Sequence, residues 1–322
     1  MDRGRPPALV VQLPGASRPD SVRQDIIAGL TAPAPWVAPK HLYGPLGSRL
    51  FEAITALPEY YPTRIEKALL ARHAGDIARL AGPAPTMVDL GAGNCEKAKG
   101  LFAALRPRQY VAADISAEFL QDALSVLQAV FPDMNLLGLA GDFSSGLVLP
   151  DSVGRENRLF FYPGSSIGNF APNQALDFLA LIRGQCSGGG LLIGVDLVKP
   201  ASILEPAYDD ALGVTAAFNL NLLNNLNGLI GSDFDVTDWR HRAFYNAPLS
   251  RIEMHLEARR EAAVRWPGGE RVFRKGQRIH TENSYKYALK DFKALLRQAG
   301  FGKIAAWTDE RRWFALCHAG AG

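Results

Sequence analysis

The chain is short of cysteine, has no long apolar run and carries no excess of either charge, and each shortage removes a class of protein. Three cysteines in 322 residues, Cys95, Cys186 and Cys317, are odd in number and far apart. They offer neither a disulfide framework nor a metal-ligand spacing, which fits a reducing compartment. No stretch approaches the roughly 18 apolar residues that a membrane-spanning helix needs. Pro6, Pro7 and Pro14 interrupt anything that could serve as the apolar part of a secretory leader, so a cytoplasmic location is expected. Lysine and arginine number 35 against 32 acidic residues, a formal net charge of +3. That is no footprint for nucleic acid, which asks for a concentrated basic face. Arg259-Arg260 and Arg311-Arg312 read as solvated surface. The six histidines contain no H-x-x-x-H pair and no cluster with cysteine along the chain, so no metal site is expected.

What is present points to an α/β protein. At 48% hydrophobic the chain can bury a full core, as one large domain or two small ones. The run Leu159-Phe160-Phe161 feeds Tyr162-Pro163-Gly164-Ser165-Ser166-Ile167-Gly168-Asn169-Phe170, a buried strand ending in a polar loop. Ligands of open α/β sheets lie outside the carboxyl ends of strands, so this loop is a candidate for substrate contacts. Its glycines permit close backbone approach and Asn169 brings both a donor and an acceptor. The plainer reading makes Asn169 the cap of a following helix.

A second glycine loop lies upstream, where the strand Thr86–Leu90 runs into Gly91-Ala92-Gly93-Asn94-Cys95-Glu96. The third glycine of a dinucleotide fingerprint would fall on Glu96, whose carboxylate would face a pyrophosphate, which argues against NAD. A strand ending in an acid and then Gly-x-Gly instead resembles motif I of class I S-adenosylmethionine-dependent methyltransferases, whose ligand carries no phosphate. Two further strands end in acids: Tyr110–Asp114, about 20 residues on, where a carboxylate suits two ribose hydroxyls, and Leu136–Ala140 followed by Gly141-Asp142-Phe143. In methyltransferases an acid and an aromatic at that place commonly hold the adenine. Cys95, inside the loop, reads as a small residue beside the cofactor rather than a nucleophile.

The remaining pattern predicts helices over Ser21–Leu30 with Ser21 as cap, Leu46–Leu57 ended by Pro58, and Thr63–Leu80 with Thr63 and Glu66 as a capping box. From Thr86 to about Lys199 strands and helices alternate, which means a parallel sheet covered on both faces. Residues 200–283 break the rhythm with a helix at Ala216–Asn227, a turn-rich stretch, and strands at Arg251–Ala258, Ala262–Trp266 and around Val272. Helix is expected again over Ser284–Ala299, and Lys303–Trp307 with Trp313–Cys317 read as a closing hairpin. The expected fold is thus a Rossmann-like, seven-stranded class I sheet with a second α+β lobe formed by the N-terminal segment and an insertion. The boundaries expected are 66–199 plus 285–322 for the cofactor domain, 18–65 plus 200–284 for the substrate lobe, and a flexible N-terminus over 1–17.

From about Tyr43 to its C-terminus the chain resembles the histidine-specific methyltransferases of ergothioneine biosynthesis, which trimethylate the α-amine of L-histidine to hercynine. The resemblance rests on Gly47–Glu52 with Leu57–Arg64, the Pro-Gly-Ser-Ser-Ile-Gly-Asn-Phe loop, Gly213–Asn219, and Arg251–His255 with Ile279–Ser284. It implies S-adenosylmethionine held by Tyr43, Gly91, Gly93, Lys97, Asp114, Asp142 and Phe143. It implies Asn169 and Tyr208 at the carboxylate and amine of the substrate, Tyr60, Glu282 and Ser284 around the imidazole, Met254 along the wall, and Gly164 leaving room for added methyls. Asn169 and Tyr43 are the residues expected nearest the chemistry. Lys97 also reads as a solvated helix residue, Tyr43 as packing, Met254 as core filling and Glu282 as a strand end meeting solvent. Cys95 and Ser166 depart from the family pattern, where a small polar residue and threonine are usual. A tryptophan-like amino acid, a thiol-modified histidine and a non-catalytic cofactor-binding module are the alternatives. Glu282 favours histidine, because indole has no second ring nitrogen to meet it. A monomer acting on a free amino acid, with no nucleic acid or membrane partner, is expected.

Overall fold

A computed structural model of the chain describes residues 9–12, 19–143 and 146–322. The chain divides into two compact units, Met1–Ala16 with Pro62–Val198 and Lys286–Gly322, and Ser17–Tyr61 with Lys199–Tyr285.

The first unit is built on an eight-stranded sheet. Its strands are β1 (Leu9–Gln12), β2 (Thr86–Leu90), β3 (Gln109–Asp114), β4 (Leu136–Ala140), β5 (Arg158–Tyr162), β6 (Gly190–Asp196), and, from the end of the chain, β12 (Gly302–Thr308) and β13 (Phe314–Gly320). The order is β1-β4-β3-β2-β5-β6-β13-β12. Pairing is parallel from β1 to β6, and β13 runs antiparallel to both β6 and β12. Alternation along the strands splits the core into two layers. Val88 and Leu90 pack with Phe178, Leu179 and Ile182 of the helix Pro172–Gln185, while Met87 packs with Leu69, Leu70 and Ile77 of the helix Tyr61–Ala81.

The doubly wound sheet is as expected but one strand larger. Leu9–Gln12, inside the segment read as flexible, pairs in parallel with β4. The rest of that segment, residues 1–8 and 13–17, lies outside the described residues. The capping box is also corrected. The helix begins at Tyr61, so Thr63 lies inside it and Glu66 is fully buried. Ser21 likewise lies within a helix, Pro19–Thr31, rather than at its cap.

The second unit holds a three-stranded antiparallel sheet of β7 (Trp239–Asn246), β8 (Arg251–Ala258) and β11 (Arg278–Tyr285), in the order β11-β8-β7, and a hairpin of β9 (Ala262–Trp266) and β10 (Gly269–Phe273). The stretch read as turn-rich contains β7. Ser284 is on β11, and the helix expected to start there begins instead at Leu289. The register of β11 on β8 shifts between His280 and Glu282, so Thr281 is a bulge. One face of the sheet carries Ile252, Met254, Leu256, Glu282 and Ser284; the other carries Glu253, His255, Glu257, His280 and Asn283. The long helix Val214–Ile230 packs on β7 and β8, and among its buried residues are Phe218, Asn219 and Leu222.

Candidate functional site

In the first unit the strand order reverses between β2 and β5, the switch point at which ligands of such sheets bind. Both predicted loops leave the carboxyl ends of these two neighbours. After β2, Gly91 and Gly93 hold φ of 70° and 54°, left-handed values, and a Cβ on either would meet nothing within 4 Å. Open space therefore lies beside the loop. Asp114, at the end of β3, reaches across to it: one carboxylate oxygen accepts from the Gly93 N–H at 3.0 Å and the other from the Ser116 N–H at 3.1 Å. Burial raises the Asp114 pKa against those hydrogen bonds. Cys95, buried and at φ 61°, is pushed up to about 12 by burial, so its thiol stays protonated and is no nucleophile at neutral pH. Asp142 follows β4 half-buried, and Phe143 meets Tyr162 edge-on at 6.4 Å.

The second loop leaves β5 through Gly164 at φ 79° and coils into a short 3-10 turn, Ser166–Asn169. Asn169 ends that turn, and the next helix is capped by Ala171, so Asn169 is not a helix cap. The Ser165 hydroxyl accepts from the Asp196 N–H at 2.8 Å, tying the loop to the end of β6.

Glu66 ties the two loops to each other. Its carboxylate accepts from the Gly164 N–H at 2.9 and 3.0 Å and pairs with Lys97 at 2.6 Å. Lys97 is therefore neither a freely solvated helix residue nor an isolated cation. Space for the buried carboxylate is made on β6, where a Cβ on Gly194 would stand 2.0 Å from Glu66 Oε1. Local pattern could only read Glu66 as a capping partner, because its contacts lie about 30 and 100 residues away.

In the second unit, residues expected around the substrate come together. The Tyr208 and Ser284 hydroxyls share a hydrogen bond of 2.7 Å, and the Tyr60 ring stands 6.3 Å from that of Tyr208. Met254 sits across the ladder from Glu282, on the face shared with Ser284. All three are buried, so Glu282 is not a strand end in solvent. Tyr43 packs edge-on against Phe51 at 5.5 Å and Phe218 at 5.4 Å, and Phe51 also meets Tyr60 at 6.2 Å. Phe51 and Phe218 were not singled out by sequence. The helical spacing around each gave no more than an apolar face.

His241 fixes Tyr208 from behind. Its Nε2–H donates to the Tyr208 carbonyl at 2.8 Å, which leaves Nδ1 to accept from Asn219 at 2.9 Å. Burial lowers the His241 pKa, in keeping with a neutral ring held between one acceptor and one donor. The histidines form no pattern along the chain, but two of them meet across the ladder: His255 and His280 stand with Glu253 on the other face, one ligand-type atom from each within 4.8 Å of the others.

The comparisons agree with this architecture. A family model described as histidine-specific, S-adenosylmethionine-dependent methyltransferase matches residues 22–321. The chain is 39% identical over 316 residues to the histidine N-alpha-methyltransferase of Mycolicibacterium smegmatis, covering 96% of this chain and 98% of that protein. Against the histidine N-alpha-methyltransferase of Mycobacterium tuberculosis identity is 38% over 303 residues, covering 92% and 94%. Ergothioneine biosynthesis protein 1 of Neurospora crassa is 32% identical over 278 residues, which span 83% of this chain and 31% of that longer protein. The doubly wound sheet, the glycine loop followed by two further strand-end acids, and these matches have one common meaning: the chain belongs to the histidine-specific, S-adenosylmethionine-dependent methyltransferases.

Proposed function

We propose that this chain methylates the α-amine of L-histidine with S-adenosylmethionine and carries the reaction through three rounds to the betaine hercynine, opening ergothioneine biosynthesis. The observation that carries the reading is the family match along residues 22–321 together with 39% identity to a histidine N-alpha-methyltransferase over nearly the whole chain. The first unit serves as the cofactor domain and the second as the substrate lobe. The open space beside Gly91 and Gly93 and the anchored carboxylate of Asp114 fit the cofactor. In this reading the two glycines take its methionine part, Asp114 its ribose, and Asp142 with Phe143 its adenine, with Tyr43 and Lys97 as further contacts. When bound, it supplies a sulfonium methyl already activated for transfer.

The protein's share of the chemistry is alignment. Asn169 and Tyr208 hold the carboxylate and amine of the amino acid; Tyr60, Glu282 and Ser284 meet the ring nitrogens; Met254 closes the wall and Gly164 leaves room for successive methyls. Holding a nucleophile in line is worth roughly 7–11 kcal/mol in favourable cases. The amine must be neutral to attack, and an α-amine has an ordinary pKa of about 8 in peptides and somewhat higher in a free amino acid. No strong base is required; the proton leaves to water or through Tyr43. The reading includes a cytoplasmic monomer that engages neither nucleic acid nor membrane, and among the described residues no helix is long and apolar enough to cross a membrane.

The test is mass spectrometry of the purified chain with S-adenosylmethionine and each of the twenty amino acids. Mono-, di- and trimethylated histidine are expected, with the rate rising with pH as the amine deprotonates. Faster turnover of another amino acid would overturn the substrate, and a product stopping at one methyl would overturn the trimethylation.

A further inference from the structure

The polar face of the three-stranded sheet holds a group that the methylation reading does not use. His255 on β8 and His280 on β11 are register partners, their ring centroids 4.9 Å apart. Glu253 lies two residues before His255 on the same face, its Oε2 3.0 Å from His255 Nε2. One ligand-type atom from each of the three lies within 4.8 Å of the others.

His255 Nδ1, His280 Nε2 and the Asn283 Oδ1 across the ladder from Glu253 are buried with no hydrogen-bond partner among the described residues. Buried polar atoms in folded proteins are nearly always satisfied, so three orphans on one patch call for an explanation.

The surroundings fix the carboxylate. Glu253 Oε1 accepts from Asn246 at 2.8 Å and from Arg251 at 2.6 Å, which leaves Oε2 turned to the histidines. Arg251 is held in turn by the Tyr285 hydroxyl at 2.6 Å. Outer partners of this kind orient ligating carboxylates in metal sites. The Phe244 ring stacks on His255 at 5.4 Å and limits its rotation. Four cations face the patch: Arg251 is neutralised by Glu253, while Arg240, Arg242 and Arg278 all lie against Glu257, the last two at 3.7 and 2.8 Å.

We propose that Glu253, His255 and His280 bind one divalent transition-metal ion of the zinc or cobalt kind, with Asn283 Oδ1 available as a fourth ligand. Two imidazoles and a carboxylate are a donor set that suits such ions. Metal–ligand bonds of about 2.0–2.2 Å require the widest atom pair to draw in by roughly 1 Å, a side-chain adjustment. The ion would pin β8 to β11 at the Thr281 bulge, on the face away from Met254, Glu282 and Ser284. Its role is structural and goes beyond the proposed methylation.

The full-length protein, stripped by dialysis against a chelator, is titrated with Co²⁺ and Zn²⁺. One equivalent of each is expected in calorimetry, with visible ligand-field absorption for cobalt and a melting temperature that rises with zinc. His255→Gln and His280→Gln should each weaken binding more than tenfold, since even outer-shell losses cost about 10–100-fold. X-ray absorption at the zinc edge of the unaltered protein should show two imidazoles, a readout that does not depend on either variant folding. No one-to-one binding, affinity unchanged in both variants, or a shell without imidazole would each overturn the site. None of these readouts uses methyl transfer, so their failure leaves the proposed reaction untouched.

Discussion

In the doubly wound unit the candidate ligand groups are presented by backbone, whereas in the three-stranded unit they are presented by side chains. Gly91, Gly93 and Gly164 hold positive φ at strand ends, and the carboxylates beside them, Asp114 and Glu66, spend their oxygens on loop N–H groups. In the other unit the candidate substrate groups are the side chains of Tyr208, Glu282, Ser284 and Met254, set by strand register and by an aromatic surround of Tyr43, Phe51, Tyr60 and Phe218. The first arrangement suits a ligand common to many enzymes, and the second suits a choice between similar rings. Substitutions should therefore separate cofactor affinity from substrate choice.

The largest effect is expected on ring choice. A site built to hydrogen-bond its substrate rejects an analogue lacking the partner atoms by up to about 10⁴. Glu282→Ala should collapse most of the preference for histidine over tryptophan, chiefly through the apparent affinity for histidine, and adding Met254→Val should relax it further. The readout is kcat/KM for both amino acids in the parent, the two single variants and the double. A ratio constant across all four would remove these residues from ring recognition.

Cofactor affinity is the converse test. Asp114→Ala removes a charged acceptor worth roughly 2–3 kcal/mol and frees the Gly93 N–H, so calorimetry should show S-adenosylhomocysteine binding at least tenfold weaker. The histidine-to-tryptophan ratio should stay where it was. A changed ratio with unchanged cofactor affinity would reverse the division between the units.

Glu66 tests whether the backbone-built site depends on one buried side chain. Glu66→Ala leaves the Gly164 N–H and Lys97 without their partner and should cost about 3 kcal/mol in urea unfolding. An unchanged midpoint would show that the loops hold themselves. Gly194→Ala pushes a methyl against the same carboxylate and should cost about 1–3 kcal/mol by overpacking.

A last test concerns acid stability. His318 on β13 is buried with neither ring nitrogen hydrogen-bonded among the described residues, and burial lowers it to about 4. Its folded pKa lies below the ordinary value of about 6.5, so the unfolded chain gains a proton first and stability falls as pH drops through 6.5 toward 4. Asp89, raised to about 7 by burial against its hydrogen bond from Tyr110, acts in the opposite sense. The measurement is therefore a difference: between pH 7 and pH 4 the parent should lose on the order of 3 kcal/mol relative to His318→Leu. Parallel pH curves for the two proteins would show that His318 charges without penalty.

The same division decides what could be read from sequence. Glycine loops and strand-end acids are local, so Gly91, Gly93, Asp114 and the Gly164–Asn169 loop announced themselves within a dozen residues. Five strands of the parallel sheet and the closing hairpin were visible for that reason too. The strand Leu9–Gln12 was hidden because its flanking prolines and glycines gave the whole segment a loop-like composition. β7 was hidden because Arg240 and Arg242 break the apolar run of a strand with one polar face. Ser284 was placed on a helix because nothing near it shows that β11 continues to Tyr285. Glu66, Phe51, Phe218 and the His255–His280 pair are defined by contacts across long stretches of chain, which no local periodicity encodes.

The bulge at Thr281 has a further consequence. In an even ladder residues 280 and 282 would point the same way; the extra residue sends His280 to one side and Glu282 to the other. Thr281 therefore acts as a frame shift written in backbone, separating two side chains with a single residue between them. Point substitutions on either side can accumulate separately. Deleting Thr281 would only even the ladder and leave His280 and Glu282 on opposite faces; a residue inserted between Met254 and His255, opposite Thr281, would instead bring both side chains onto a common face.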